Sequence, residues 1–137
     1  MAEASVLARP ALAGGTVAAG QVVTGTSSIT ALVGSSNQAG TFTVKPQGVA
    51  TTSALNGEPI TVVFAGECTA LAGDTIAQGD MLVDEYNTAR VIPFADSAYT
   101  DGTVGWLIGR ALEGGVDGQA LRIDVNIQIH TVATAPA

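Results

Sequence analysis

The clearest regularity in the chain lies near its C-terminal end, where Leu121, Ile123, Val125, Ile127 and Ile129 alternate with Arg122, Asp124, Asn126, Gln128 and His130. Successive side chains on a strand point to opposite faces, so this strict period of two predicts a strand with one dry and one wet face, running through the centre of the domain. Ile60-Thr61-Val62-Val63-Phe64-Ala65 is apolar on both faces, as a strand buried between two layers is. It follows an Asn56-Gly57 turn signal, and Gly66 predicts a bulge or bend in it. Met81-Leu82-Val83 and Arg90-Val91-Ile92-Pro93-Phe94 flank a polar tip, Asp84 to Thr88, and predict a hairpin. Pro93 has no N–H for a ladder, which puts the second of these strands at an edge or ends it.

Weaker patterns fill in the rest. Thr41 to Lys45 alternates before Pro46, and Val104 to Leu112 reads as a strand carrying Trp106. Gln21 to Thr24 and Ile29 to Val33 read as short extended pieces with turns at Gly25 and Gly34. No helical spacing is sustained, and turn signals recur about every 8 to 12 residues, which predicts an all-β fold, a compact sandwich or barrel. Residues 1–40 are nearly low in complexity, rich in Ala, Gly and Thr, and read as an extended N-terminal arm with short strands; residues 41–137 read as the β-domain.

Composition sharpens this picture. Of 137 residues 47% are hydrophobic but only 4% aromatic, so the core is built from Val, Ile, Leu and Ala, which suits thin β-layers. Charged residues are only 12%, with a net charge of −7. Met1 to Asn56 contains only Glu3, Arg9 and Lys45 as charged side chains and is net +1; the remainder is therefore net −8. That sign and the lack of a basic stripe disfavour nucleic acid as a partner. There is no apolar run of 18 residues to span a membrane and no export signal, so synthesis in a cytoplasm is expected.

Candidate chemistry is sparse. Catalysis by a nucleophile needs a positioned base, and the single imidazole, His130, falls on the wet face of the last strand without a G-x-S-x-G elbow. Cys68 has no second cysteine or nearby metal ligand and reads as a small buried hydrophobe. Asp74, Asp80, Asp84 and Glu85 do not have EF-hand spacing and read as solvated turn carboxylates, with a weakly held Ca²⁺ as the alternative. No phosphate-cradling glycine motif occurs. The expectation is therefore a protein that is no enzyme and takes no cofactor, resident metal or small-molecule substrate. Trp106 is open to two roles, core residue or interface anchor.

One further pattern bears on function. Gly57-Glu58-Pro59-Ile60-Thr61-Val62, Ile76-Ala77-Gln78-Gly79-Asp80-Met81-Leu82-Val83, Arg90-Val91-Ile92-Pro93, Val104 to Leu112, and Gly118 to Val125 follow one another in a characteristic order. In that order the block from Gly48 to Ile129 resembles the small capsid decoration, or cement, proteins of tailed bacteriophages, of the DUF2190-like kind. The resemblance implies a β-tulip-like barrel, no catalytic residues, and a homotrimer on the outer surface of an icosahedral virion head. There it would bind the major capsid protein and cement neighbouring subunits. On this view the N-terminal arm, roughly Met1 to Gly20, orders on the capsid through Val6, Leu7 and Arg9, with Trp106 as a further interface candidate. Truncation to residue 13 would then leave the body's melting nearly unchanged. The competing expectation is a self-associating fibre or adhesion-type surface module.

Overall fold

A computed structural model of the protein describes residues 6–27, 30–33, 46–85, 88–94 and 104–131. Among them the regular elements are all strands: β1 (Leu7–Ala13), β2 (Val22–Ser27), β3 (Thr30–Val33), β4 (Gly48–Ala50), β5 (Pro59–Leu71), β6 (Met81–Asp84), β7 (Val91–Pro93), β8 (Val104–Ala111) and β9 (Ala120–Thr131). The all-β expectation holds. The β6–β7 hairpin pairs as predicted, and β7 ends the sheet order with Pro93 as its last residue. Gly25 falls inside β2, not in a turn. The expected strand at Thr41 to Lys45 and the turn at Gly34 lie outside the described residues.

The strands form one sheet in the order β1-β3-β2-β4-β5-β9-β8-β6-β7, and β1 also pairs with β5. Strands β1, β3, β2, β4 and β5 therefore close into a ring. Inside it sit Ala11, Ala13, Val17, Val23, Ala50, Ala54, Ile60 and Val62. With no aromatic among them, the ring is filled by small and β-branched side chains, as the composition requires. A second core gathers Val22, Val49 and Val63 with Leu82, Ile108, Leu121, Ile123 and Val125 from the other half. The parallel Ala72–Val91 bridge brings β7 back to the end of β5.

The residues assigned from sequence to an extended arm are, where described, part of this sheet. Leu7 to Leu12 pair along β5 from Ala65 to Pro59, and Ala11, Ala13 and Val17 are buried. Alanine and valine at alternate positions can fill a narrow ring as well as line a linker, and only the pairing distinguishes the two.

Strand β9 lies between β5 and β8, as its period of two suggested. Leu121, Ile123 and Val125 are buried and Ile127 half-buried, but Ile129 is 63% exposed. The dry face ends there because β5 pairs with β9 only as far as Asn126, and beyond that point β9 pairs with β8 alone.

Four turns hold the strands together, and they share one pattern: Ala13 to Gln21, Ala50 to Glu58, Ala72 to Asp80, and Ala111 to Gln119. Each runs from an alanine to a glycine seven positions on, followed by Gln, Glu or Asp. The glycines Gly20, Gly57, Gly79 and Gly118 have φ of 92°, 85°, 90° and 85°, which places each at the third position of a type II turn. In every copy the residue after glycine closes the turn with its side chain: Ala18, Leu55, Ala77 and Val116 donate N–H to Gln21, Glu58, Asp80 and Gln119 at 2.8, 2.6, 2.9 and 3.1 Å. The first turn is clasped to the second, and the third to the fourth, by equivalent backbone bonds. Val17 and Ala54 exchange a pair of 2.9 Å bonds, and Ile76 and Gly115 exchange bonds of 2.8 and 2.9 Å. Gly57 donates to Ala13 at 2.7 Å, as Gly118 does to Ala72 at 2.8 Å. The chain is therefore an internal repeat of a two-turn unit, with a period of roughly 60 residues.

Candidate functional site

A surface for a protein partner is read from exposed apolar side chains, arginine and aromatic groups held on rigid elements. Strand β1 supplies such a group. Its buried face is the row Arg9, Ala11, Ala13, and it meets the row Ile60, Val62, Phe64 of β5, with Arg9 opposite Val62. Where that row leaves the ring, the Arg9 guanidinium stands 6.0 Å from the centre of the Phe64 ring. Arg9 Nε is buried without a hydrogen-bond partner. Val6, Leu7 and Phe64 are 49%, 51% and 37% exposed. Leu7 sits opposite Ala65, at a register shift that displaces Phe64 from the regular ladder.

Val6 also lines a cleft of about 450 Å³, together with Ala19, Gly20, Cys68 and Leu71. The Cys68 thiol is pushed up to about 12, by burial first and then by the nearby charges of Asp124 and Glu67. It stays protonated at neutral pH and is no thiolate nucleophile there. His130 is remote from it: Cys68 is opposite Ile123, whereas His130 is opposite Gly105, seven residues further along β9 and so about 23 Å away at strand rise.

The structure thus sets Leu7 and Arg9 on β1 beside Phe64, puts Val6 in the adjacent cleft, and leaves Trp106 elsewhere, half-buried on β8 opposite the exposed Ile129. Phe64 belongs to the first group, although its run reads from sequence as buried throughout. The one signal was an aromatic in a chain that has few. The acidic residues expected in turns are put to local use. Asp80 closes its turn, Asp74 accepts the Thr75 N–H at 2.7 Å and Glu85 accepts the Thr88 hydroxyl at 2.7 Å, whereas Asp84, expected as a solvated turn carboxylate, is the last residue of β6 and fully buried. Among the described residues no three potential metal ligands gather.

A solved structure shares this fold. The match is to the N base of the head fiber protein gp8.5 of bacteriophage phi29, at a TM-score of 0.61 and 20% sequence identity, covering 89% of this chain and 95% of that one. No protein-family model and no curated protein matches the sequence. The likeness to the phi29 fibre base runs nearly end to end in both chains, so the strand arrangement as a whole is shared, with one residue in five identical.

Proposed function

We propose that this chain is a structural virion protein that docks on the outer surface of a phage head, binds the major capsid protein, and cements neighbouring subunits without catalysing a reaction. The observation that carries the reading is the fold likeness to the phi29 head fiber base over almost the whole of both chains. The exposed Leu7 and Phe64 at Arg9, with the exposed Val6 at the adjacent cleft, supply a surface suited to a protein partner. The ordered motifs from Gly48 to Ile129 point the same way. A clip that binds only the assembled shell lowers that shell's free energy by mass action, and many identical copies on one head make modest single contacts sufficient. In this reading the working unit is a homotrimer and the site of action is the virion exterior, reached after synthesis in the host cytoplasm.

The test uses heads assembled without this protein. Added protein should co-sediment with expanded heads to a fixed stoichiometry, appear as discrete density on their exterior in electron microscopy, and raise the temperature at which they release DNA. Absence of binding to expanded heads would reject the reading. A second reading, the base of a self-associating fibre, is favoured by the same neighbour being a fibre base. Gel filtration separates the two: a discrete oligomer accords with cement, open-ended polymers with a fibre module.

A further inference from the structure

The described arginines fall into two kinds. Arg90 meets Asp117 at 3.4 Å, Arg122 bridges Glu67 at 3.1 Å and Glu113 at 3.6 Å, and Arg110 lies exposed with its Nη2 3.4 Å from the Met81 sulfur. Arg9 differs from all three. Like Arg110 it pairs with no carboxylate among the described residues, but its guanidinium lies against Phe64 at 6.0 Å and its Nε is buried with no acceptor, which is true of none of the others. A guanidinium held against an aromatic face is pre-organised for a planar carboxylate, and its charge gains strength where apolar neighbours exclude water. Phe64, and Leu7 next to Arg9 on the same face of β1, are the exposed apolar neighbours on this side. Arg9 is the charged side chain described in the stretch up to Asn56, and its positive charge, left without a carboxylate in the fold, is complementary to an acidic group on a partner.

We infer that the β1–β5 surface docks a segment of the head shell that presents a carboxylate beside an apolar side chain. The carboxylate pairs with Arg9 and the apolar group covers Leu7 and Phe64. This deepens the head-docking reading and rests on it, since it names the chemistry of the shell segment that is recognised.

The experiment measures binding isotherms on heads lacking the protein, for wild type and for Arg9→Gln, Arg9→Glu, Arg9→Lys and Phe64→Ala, each checked by its melting curve. Arg9→Gln should weaken binding by about 30-fold or more and Arg9→Glu further still, as loss of one partner of a desolvated charge pair does. Arg9→Lys should recover part of the loss, and Phe64→Ala, at a side chain that is already exposed, should weaken binding about 10-fold. If Arg9→Glu does not fold, Arg9→Lys and Phe64→Ala carry the test. Wild-type binding with all variants equal to it overturns this inference and leaves head docking standing. Failure of wild type to bind heads rejects the head-docking reading, and sedimentation of the protein alone then decides. Self-association that Arg9→Gln abolishes places the carboxylate on a second copy and overturns the assignment to the shell, and so does a monomer that associates with nothing.

Discussion

Cys68 and Gly109 show how single positions in this sheet are controlled by their neighbours. Burial, reinforced by the charges of Asp124 and Glu67, raises the Cys68 thiol from an ordinary 9.0 to about 12. The folded state therefore holds its proton to higher pH than the unfolded state does. The stability this confers is complete below pH 9 and is lost as pH rises from about 9 toward 12. Urea titrations of wild type and Cys68→Ala across that window should show wild type losing stability faster with pH, and the native thiol should resist iodoacetamide at pH 8. Gly109 is limited by space instead. A Cβ there would sit 2.0 Å from the Asp124 carbonyl oxygen, within the register shift of β8 against β9. Gly109→Ala should cost about 3 kcal/mol or more by denaturant titration, because the obstacle is backbone and cannot rotate away.

A strand's pattern and its surroundings separate at the level of elements. The β9 stripe is uniform in sequence, yet Ile123 is buried and Ile129 is 63% exposed. Ile123→Ala should cost about 2–5 kcal/mol, whereas Ile129→Ala should stay within about 0.5 kcal/mol of wild type in the same assay. The four turns provide a matched set. At Gly57, Gly79 and Gly118 an added methyl meets nothing within 4 Å, so alanine there pays only for the left-handed backbone, about 1–2 kcal/mol at each position. At Gly20 the methyl also meets Leu71 Cγ and the Leu71 N at 3.0 Å. Gly20→Ala should therefore be the most destabilising of the four, and equal losses at all four positions would show that the Leu71 contact contributes nothing. Of these turns, Asn56-Gly57 was legible as a short signal. The other three were hidden, because a small residue, glycine and an amide or acid are common in a chain with 17 glycines, and it is the clasping of the turns in pairs that makes them alike.

Ring closure is the feature of the whole molecule with the widest consequence. Because β1 joins β5 to β3, a truncation that removes residues 1–13 opens the ring and uncovers Ile60, Val62 and Val23. Such a protein should lose its cooperative melting transition by circular dichroism, and a truncation that melts like wild type would show the ring to be dispensable. An experiment on the docking surface therefore has to use side-chain substitutions, since deleting the strand would remove partner binding and fold together.

Much of the β-architecture was present in the sequence alone: the all-β class, the β6–β7 hairpin, the central β9 and the edge position of β7 follow from periodicity and proline, which act through local backbone geometry. The sequence also named Val6, Leu7 and Arg9 as candidates near one end of the chain, of which the structure leaves Val6 and Leu7 exposed and Arg9 half-buried. Tertiary structure alone decided that this end is a strand of the ring, that Phe64 stands beneath Arg9, and that Ile129 lies outside the core. Each of these depends on which strand pairs with which and where that pairing stops. Pairing between segments far apart in the chain is fixed by the sum of many weak contacts, and no short stretch of sequence records that sum.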